Sequence, residues 1–167
     1  ISGPTAIEPP MFVNVIPIIS AQEMFEKVAT NATENDIIIK AAAVADYRPK
    51  EVCDEKIKKS DHDTEIELER TTDILAYLGK NKGKTFLCGF SMETENMLEN
   101  SRRKLDKKNL DMIVANNLKD KGAGFGVDTN LITIITRDRE LQLELMSKQD
   151  AANCILDEII RKIGNRE

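Results

Sequence analysis

The run Ile37-Ile38-Ile39-Lys40-Ala41-Ala42-Ala43 constrains this chain more than any other segment. It is near-continuously apolar and rich in β-branched side chains, the pattern of a strand covered by helices on both faces, as in a parallel sheet. A central place in its sheet is therefore expected. Strand and helix patterns alternate on either side of it. Val13 to Ile19 reads as a strand ending at Ser20, where Ser20-x-x-Glu23 fits a capping box. A helix with Ala21, Met24, Phe25, Val28 and Ala32 at helical spacing follows. Further on, Thr85 to Gly89 reads as a strand, Glu95 to Lys108 as a helix, and Met112 to Ala115 as a buried strand leading to Asn116.

Such alternation selects the α/β class: a Rossmann-like, mostly parallel, doubly wound sheet with right-handed crossovers. Leu131 to Thr136 and Leu141 to Met146 predict an antiparallel hairpin at one sheet edge. The last helix carries Ala152, Ile155, Leu156, Ile159, Ile160 and Ile163 on one face, with Ser147-x-x-Asp150 as its cap. Arg48 to Asp63 has Pro49, many charges and little periodicity, so it reads as a flap outside the layers. Glu65 to Glu69 alternates like a half-exposed strand, and Thr71 or Thr72 with Asp73 starts a helix through Ile74, Leu75 and Leu78. Gly122-x-Gly124-x-Gly126 has neither the phosphate-loop nor the dinucleotide spacing and reads as a turn. Ile1-Ser2-Gly3-Pro4 resembles the exit of a strand, which makes the chain an expected fragment of one domain over residues 1–167, with a flap excursion over 48–70.

Composition narrows the partners. A formal charge of −5 over 167 residues argues against broad binding to nucleic acid or anionic lipid. Cys53, Cys88 and Cys154 are widely spaced and form no CxxC pair, so reduced thiols and a cytoplasmic location are expected. No apolar run approaches the ~18 residues of a membrane span. His62 is the single histidine, which excludes a multi-histidine metal site.

In open α/β sheets ligands bind beyond the carboxyl ends of the strands, here Ala42 to Asp46, Gly89 to Thr94 and Asn116. Small residues at Ala41, Ala42 and Ala43 leave the backbone accessible to a ligand, or equally allow tight helix packing. Asp46 fits a ribose contact, a metal ligand or a helix cap. Lys56, Lys58 and Lys59 in the flap can close over phosphates, although most lysine clusters are solvated. Lys104 and Lys108 lie four residues apart on one helix face.

Ala42-Ala43-Val44-Ala45-Asp46-Tyr47-Arg48-Pro49 resembles the central signature of the bacterial phosphopantothenoylcysteine synthetases, also called phosphopantothenate-cysteine ligases. The resemblance continues through Lys56-Ile57-Lys58-Lys59, Gly89-Phe90-x-x-Glu93-Thr94, Lys104-x-x-x-Lys108-Asn109-Leu110-Asp111, Ala115-Asn116 and Phe125-Gly126-x-Asp128-x-Asn130.

The resemblance implies a ligase of coenzyme A biosynthesis. It would join 4′-phosphopantothenate and L-cysteine through an acyl-cytidylate formed with CTP, accompanied by Mg2+. It implies nucleotide contacts at Ala41, Ala42, Asp46, Asp73, Ile74, Phe90, Lys104 and Lys108, an acyl-cytidylate lysine at Lys56 and a substrate contact at Asn116. It assigns no metal ligands. It also implies a homodimer built through roughly Arg48 to Arg70, and fusion to or association with a flavin-dependent decarboxylase. Thr72-Asp73-Ile74 departs from the family's Pro-Asp-Ile, and the family's N-terminal glycine-rich turn has no counterpart here. Two alternatives stand beside this reading: an NAD(P)-dependent Rossmann oxidoreductase, and a non-catalytic nucleotide-binding or dimerisation module.

Overall fold

The computed structural model describes residues 1–53, 55–58, 64–93, 95–117 and 126–164. They fall into two compact units, one of residues 1–30 and 42–74, the other of residues 31–41 and 75–167. His62, Lys59, Thr94 and the turn through Gly122 and Gly124 to Phe125 lie outside the described residues.

In the first unit, α1 (Ala21–Asn31) starts where the sequence places it. Glu23 N donates to Ser20 Oγ at 3.2 Å, the capping bond of the expected box, while the Glu23 carboxylate reaches one residue further back and accepts Ile19 N at 3.0 Å. Among the described residues the expected strand Val13 to Ile19 forms a single parallel bridge, Ser2 to Pro17. β-branching favours extension, but the run finds one bridging residue to pair with, and Val13 and Ile19 stay exposed. The flap contains structure that its charges concealed. β2 (Tyr47–Pro49) pairs antiparallel with β3 (Leu68–Arg70), and Arg48–Glu69 and Lys50–Glu67 ion pairs cross the ribbon at 2.7 and 2.8 Å.

The second unit is built on β1 (Ile37–Lys40), β4 (Phe86–Glu93), β5 (Met112–Asn117), β7 (Ile132–Thr136) and β8 (Glu140–Gln142), in the order β1-β4-β5-β7-β8. β1, β4 and β5 are parallel, whereas β7 and β8 close one edge as the expected antiparallel hairpin. A small pair, β6 (Thr129–Asn130) with β9 (Met146–Ser147), leads into α4 (Lys148–Gly164). The fold is thus α/β with a parallel centre and antiparallel edge strands.

Alternation along β4 dresses both faces. Phe86 and Cys88 join Met112, Val114, Ile132 and Ile134 beneath Ala151, Ile155 and Ile159 of α4. On the other face lie α2 (Ile74–Asn81) and α3 (Met97–Lys107). Leu75 of α2 approaches Gly89 so closely that a Cβ there would sit 2.6 Å from Leu75 Cδ2, and Ser101 Oγ of α3 is 2.6 Å from Ser91 Oγ. α4 buries Ile155 and Ile159 but leaves Leu156 and Ile160 exposed, so its apolar face is narrower than expected.

One expectation about position fails. The apolar run that opens the second unit ends as a strand at Lys40 instead of Ala43, and it occupies a sheet edge instead of the centre. Ile37 and Ile39 are 39% and 40% exposed. Apolar content reports that both faces of a strand can be buried; it carries no information on whether both edges are paired.

Candidate functional site

The first unit contains a cleft of about 450 Å³. Its walls are the segment from Ser2 to Thr5, the start of α1 at Ser20 and Ala21, and the backbone of Ala42 to Ala45. Of the small residues Ala41, Ala42 and Ala43, Ala42 and Ala43 line the cleft and are exposed. Ser2 to Thr5 and Ser20 belong to this wall and were missed as site residues; the Ser-Gly-Pro-Thr turn was the available signal.

The cleft is short of cationic donors. Glu23 accepts hydrogen bonds from Ile19 N and from Ser20 Oγ, at 3.0 and 3.3 Å, so a carboxylate already covers the α1 start. A phosphate there would meet that negative charge instead of free amides. Asp46 lies just past the cleft wall, exposed, with its carbonyl accepting Thr71 N at 2.9 Å; the neighbouring Ala45 carbonyl accepts Thr71 Oγ1 at 2.5 Å. Lys56 and Asp73 are exposed, whereas Ile74 is buried and offers a ligand no side chain.

The remaining candidates belong to the second unit, on opposite faces of one sheet. Ala41 follows β1 as exposed coil. Phe90 and Asn116 lie on the α4 face, because Phe90 pairs with Val114 in register and Asn116 follows two residues later. Lys104 lies on the α3 face, where its Nζ is 2.5 Å from Glu93 Oε1 at the carboxyl end of β4. Asn100 Nδ2 also donates to Glu93, at 3.4 Å. Lys108 caps α3, and its carbonyl abuts Gly79 of α2. The two lysines expected as nucleotide contacts from one helix face are therefore committed differently.

A second cleft, of about 730 Å³, opens at the amino ends of β1 and β4 and holds Lys82, which pairs with Asp111 at 2.6 Å. It lies at the end of the sheet away from the usual ligand side. Cys88 is no nucleophile: burial first, and then Asp111, push its thiol up to about 12. Among the described residues no three His, Cys, Asp or Glu side chains converge as a metal site, and no helix is long and apolar enough to cross a membrane.

The sheet of the second unit, with β1, β4 and β5 parallel and β7 and β8 antiparallel, defines a Rossmann-like domain of the α/β class. The chain belongs to the family described as the DNA/pantothenate metabolism flavoprotein C-terminal domain, whose model matches residues 1–163. It is 47% identical over 161 residues to the coenzyme A biosynthesis bifunctional protein CoaBC of Bacillus subtilis, covering 95% of this chain and 40% of that protein. It is 46% identical over 164 residues to a cysteine/cysteine sulfinic acid decarboxylase of an unknown prokaryotic organism, covering 96% of this chain and 45% of that protein. The crystal structure of the C-terminal domain of a CoaBC protein superposes with a TM-score of 0.81 at 40% identity, covering 98% of this chain and 72% of that one. The chain thus spans less than half the length of these two relatives.

These findings correct the activity expected from the resemblance. The family is described as a flavoprotein and one relative is named a decarboxylase, so the CTP-dependent ligation of phosphopantothenate to cysteine, with CTP and Mg2+ as its cofactors, is set aside. The acyl-cytidylate role of Lys56 goes with it. Coenzyme A biosynthesis remains as the setting named for the relatives.

A flavin does not fit the cleft of the first unit. An isoalloxazine needs a broad aromatic or apolar slot and its phosphate needs donors, yet the walls there are Ser, Thr, Gly, Pro, Ala, Val, Ile and Met, and the helix start carries Glu23.

Proposed function

We propose that this chain is a C-terminal, ligand-binding part of a coenzyme A biosynthesis flavoprotein and works in association with a flavin-dependent decarboxylase region of the longer protein. The observation that carries the reading is coverage: 95% of this chain, at 47% identity, aligns to two-fifths of a bifunctional coenzyme A biosynthesis protein. The misfit of a flavin to the small-residue cleft agrees with a division of labour in which the flavin sits elsewhere in the whole protein.

The ligand proposed for this part is a pantothenate-type compound, in keeping with the pathway in the family description. Such a molecule is slender and rich in hydroxyl and amide groups, which suits a cleft walled by alanine backbone and serine and threonine side chains. Ala42 and Asp46 in the first unit remain the residues proposed to face this ligand; Ala41, Phe90, Lys104 and Asn116 belong to the second unit and stay separate candidates there. Tyr47 and Leu68 on the ribbon, with Val52, Ile57 and Ile66 near it, are exposed apolar side chains, and they support pairing with a second copy through residues 48–70.

Calorimetric titration of the chain with pantothenate and FMN in parallel tests this reading. Binding of pantothenate and none of FMN is expected. FMN binding without pantothenate binding would overturn it.

A further inference from the structure

Both ends of one loop line the cleft of the first unit. Ser2 to Thr5 belong to its lining, and so do Ile18 and Ile19. The two ends are tied by Ser2 N donating to Ile16 O and Ile18 N to Ser2 O, both at 3.0 Å. The chain therefore leaves the cleft after Thr5 and returns to it at Ile18. A loop whose ends meet in this way is an Ω-loop in form, a class that is frequently functional.

Its composition is wrong for a solvated loop. Every residue from Pro4 to Val15 is exposed, yet the stretch holds one charged side chain, Glu8. Ile7 is 80%, Met11 81% and Phe12 102% exposed, and Val13 and Val15 are exposed with them. Single exposed apolar residues are ordinary; a run of them on one loop marks a surface that is covered in another state. Phe12 supplies an independent sign. Its φ is +63°, in the left-handed region that a bulky aromatic avoids. Such a conformation persists where contacts fix it, and a fully exposed ring supplies none. The Pro9-Pro10 pair before it makes a stiff arm that carries Met11 and Phe12 together.

We propose that residues 6–15 are a lid that closes over this cleft when it is occupied, bringing Met11 and Phe12 against the ligand. Each arm of the loop has about six residues and reaches at most ~20 Å, while a cleft of about 450 Å³ is roughly 8 Å across. The lid supplies what the cleft lacks, since none of the described residues lining it is aromatic. The choice of ligand rests on the functional reading above. A pantothenate-type molecule carries a pair of methyl groups beside its hydroxyl groups, and an aromatic ring with a thioether is suited to cover them. Over an empty cleft Met11 and Phe12 would meet only water, so the loop stays open. The ligand shifts the balance through contacts that it makes with the closed form alone.

The chain has no tryptophan, so Phe12→Trp installs a single fluorescent reporter at the loop tip. Its quenching by acrylamide is measured alone and with saturating pantothenate, beside calorimetric titration of the wild-type chain and of Phe12→Ser. Without ligand the indole emits and is quenched as a solvated one. With pantothenate the emission shifts to the blue and quenching falls at least about threefold, as it does once most of the population is closed. Phe12→Ser binds pantothenate at least about fivefold more weakly than wild type. Its unfolding midpoint stays within about 2 °C of wild type, because the ring is fully exposed in the open form. Pantothenate binding with unchanged quenching, or Phe12→Ser affinity within about twofold of wild type, overturns the lid and leaves the functional reading standing. An indole shielded without ligand, and more so at higher protein concentration, assigns the apolar tip to contact between two copies and also overturns the lid. Wild-type chain that binds no pantothenate overturns the functional reading and ligand-driven closure together.

Discussion

Glu93 Oε1 lies 2.5 Å from Lys104 Nζ at the carboxyl end of β4, so the lysine expected to hold a ligand anion already has a carboxylate partner. Glu93 is 15% exposed at its side chain and Lys104 is 44% exposed, which leaves the ammonium the solvated member of the pair. An incoming anion must compete with Glu93 for it. Glu93→Gln is expected to remove that competition and tighten pyrophosphate binding by roughly fivefold, about 1 kcal/mol, the upper range for an exposed pair. Titration at low and high salt checks it: the gain should shrink as salt rises. Unchanged affinity would mean that Lys104 meets no ligand.

Gly79 of α2 has no room for a side chain, since a Cβ there would lie 1.8 Å from the carbonyl oxygen of Lys108. The obstacle is backbone at the end of α3, held by the Lys108 N bond to Lys104 O at 3.0 Å, and cannot swing aside as a side chain would. Asn109 Nδ2 also donates to the Gly79 carbonyl at 2.8 Å, fixing the two segments from the other side. Gly79→Ala should therefore destabilise by about 2 kcal/mol or more, despite the better helix propensity of alanine. Urea unfolding measures it, and a stabilised variant would show that the two helices separate readily.

Glu158 of α4 is the charged residue buried among that helix's inward positions. Arg161 donates to it at 2.6 and 2.9 Å, and Arg139 stands 3.6 Å away. The Arg161 hydrogen bonds first, against the opposing effect of burial, and then the Arg161, Arg139 and Lys162 charges hold its carboxyl below the usual glutamate range. A carboxyl with a depressed native pKa binds fewer protons folded than unfolded over the window between the two values. Its stabilisation is present above the unfolded pKa near 4.5 and is lost as pH falls through the folded one. Urea midpoints of wild type and Glu158→Gln should therefore differ at pH 7 and converge towards pH 3. An equal difference at both pH values would assign the effect to packing.

Much of this architecture was legible because local chemistry decides it. Ser20 with Glu23 and Ser147 with Asp150 marked two helix starts, and both serines cap as read, with Asp150 N donating to Ser147 Oγ at 3.0 Å. The hairpin of β7 and β8 and the buried β5 follow from apolar runs and a polar turn. What escaped was non-local. Nothing between Arg48 and Asp63 announces that Tyr47–Pro49 will pair with Leu68–Arg70: the alternation from Glu65 to Glu69 marks only the second strand, and the match across the ribbon is made by opposite charges and by Arg70 over the Tyr47 ring at 6.0 Å. The faces of the candidate site escaped similarly. Phe90 and Glu93 are three residues apart in β4, so alternation sends them to opposite sides of one strand end, separating Phe90 from Lys104 of α3, the partner of Glu93. That Asn116 Oδ1 is buried without a hydrogen-bond partner among the described residues is a property of its surroundings and has no signature in sequence.

Asp111 ties the start of β5 to the rest of its sheet through one carboxylate oxygen. Its Oδ2 accepts Lys82 Nζ at 2.6 Å and Leu87 N at 2.8 Å, while its own N–H donates to Leu87 O at 2.9 Å. Lys82 and Asp111 retain only 10% and 16% of their side-chain exposure, so neither is well hydrated if the other is lost. Asp111→Ala leaves an ammonium and a strand amide without their acceptor, and a cost of about 3 kcal/mol is expected from breaking a pair of this kind. Asp111→Asn keeps an oxygen for Leu87 N but loses the charge opposite Lys82, and should cost about half as much. Urea unfolding of the two variants separates the contributions. An equal loss in both would place the whole effect in the ion pair, and a loss below about 1 kcal/mol in Asp111→Ala would show that Lys82 finds water at the β1 and β4 end of the sheet.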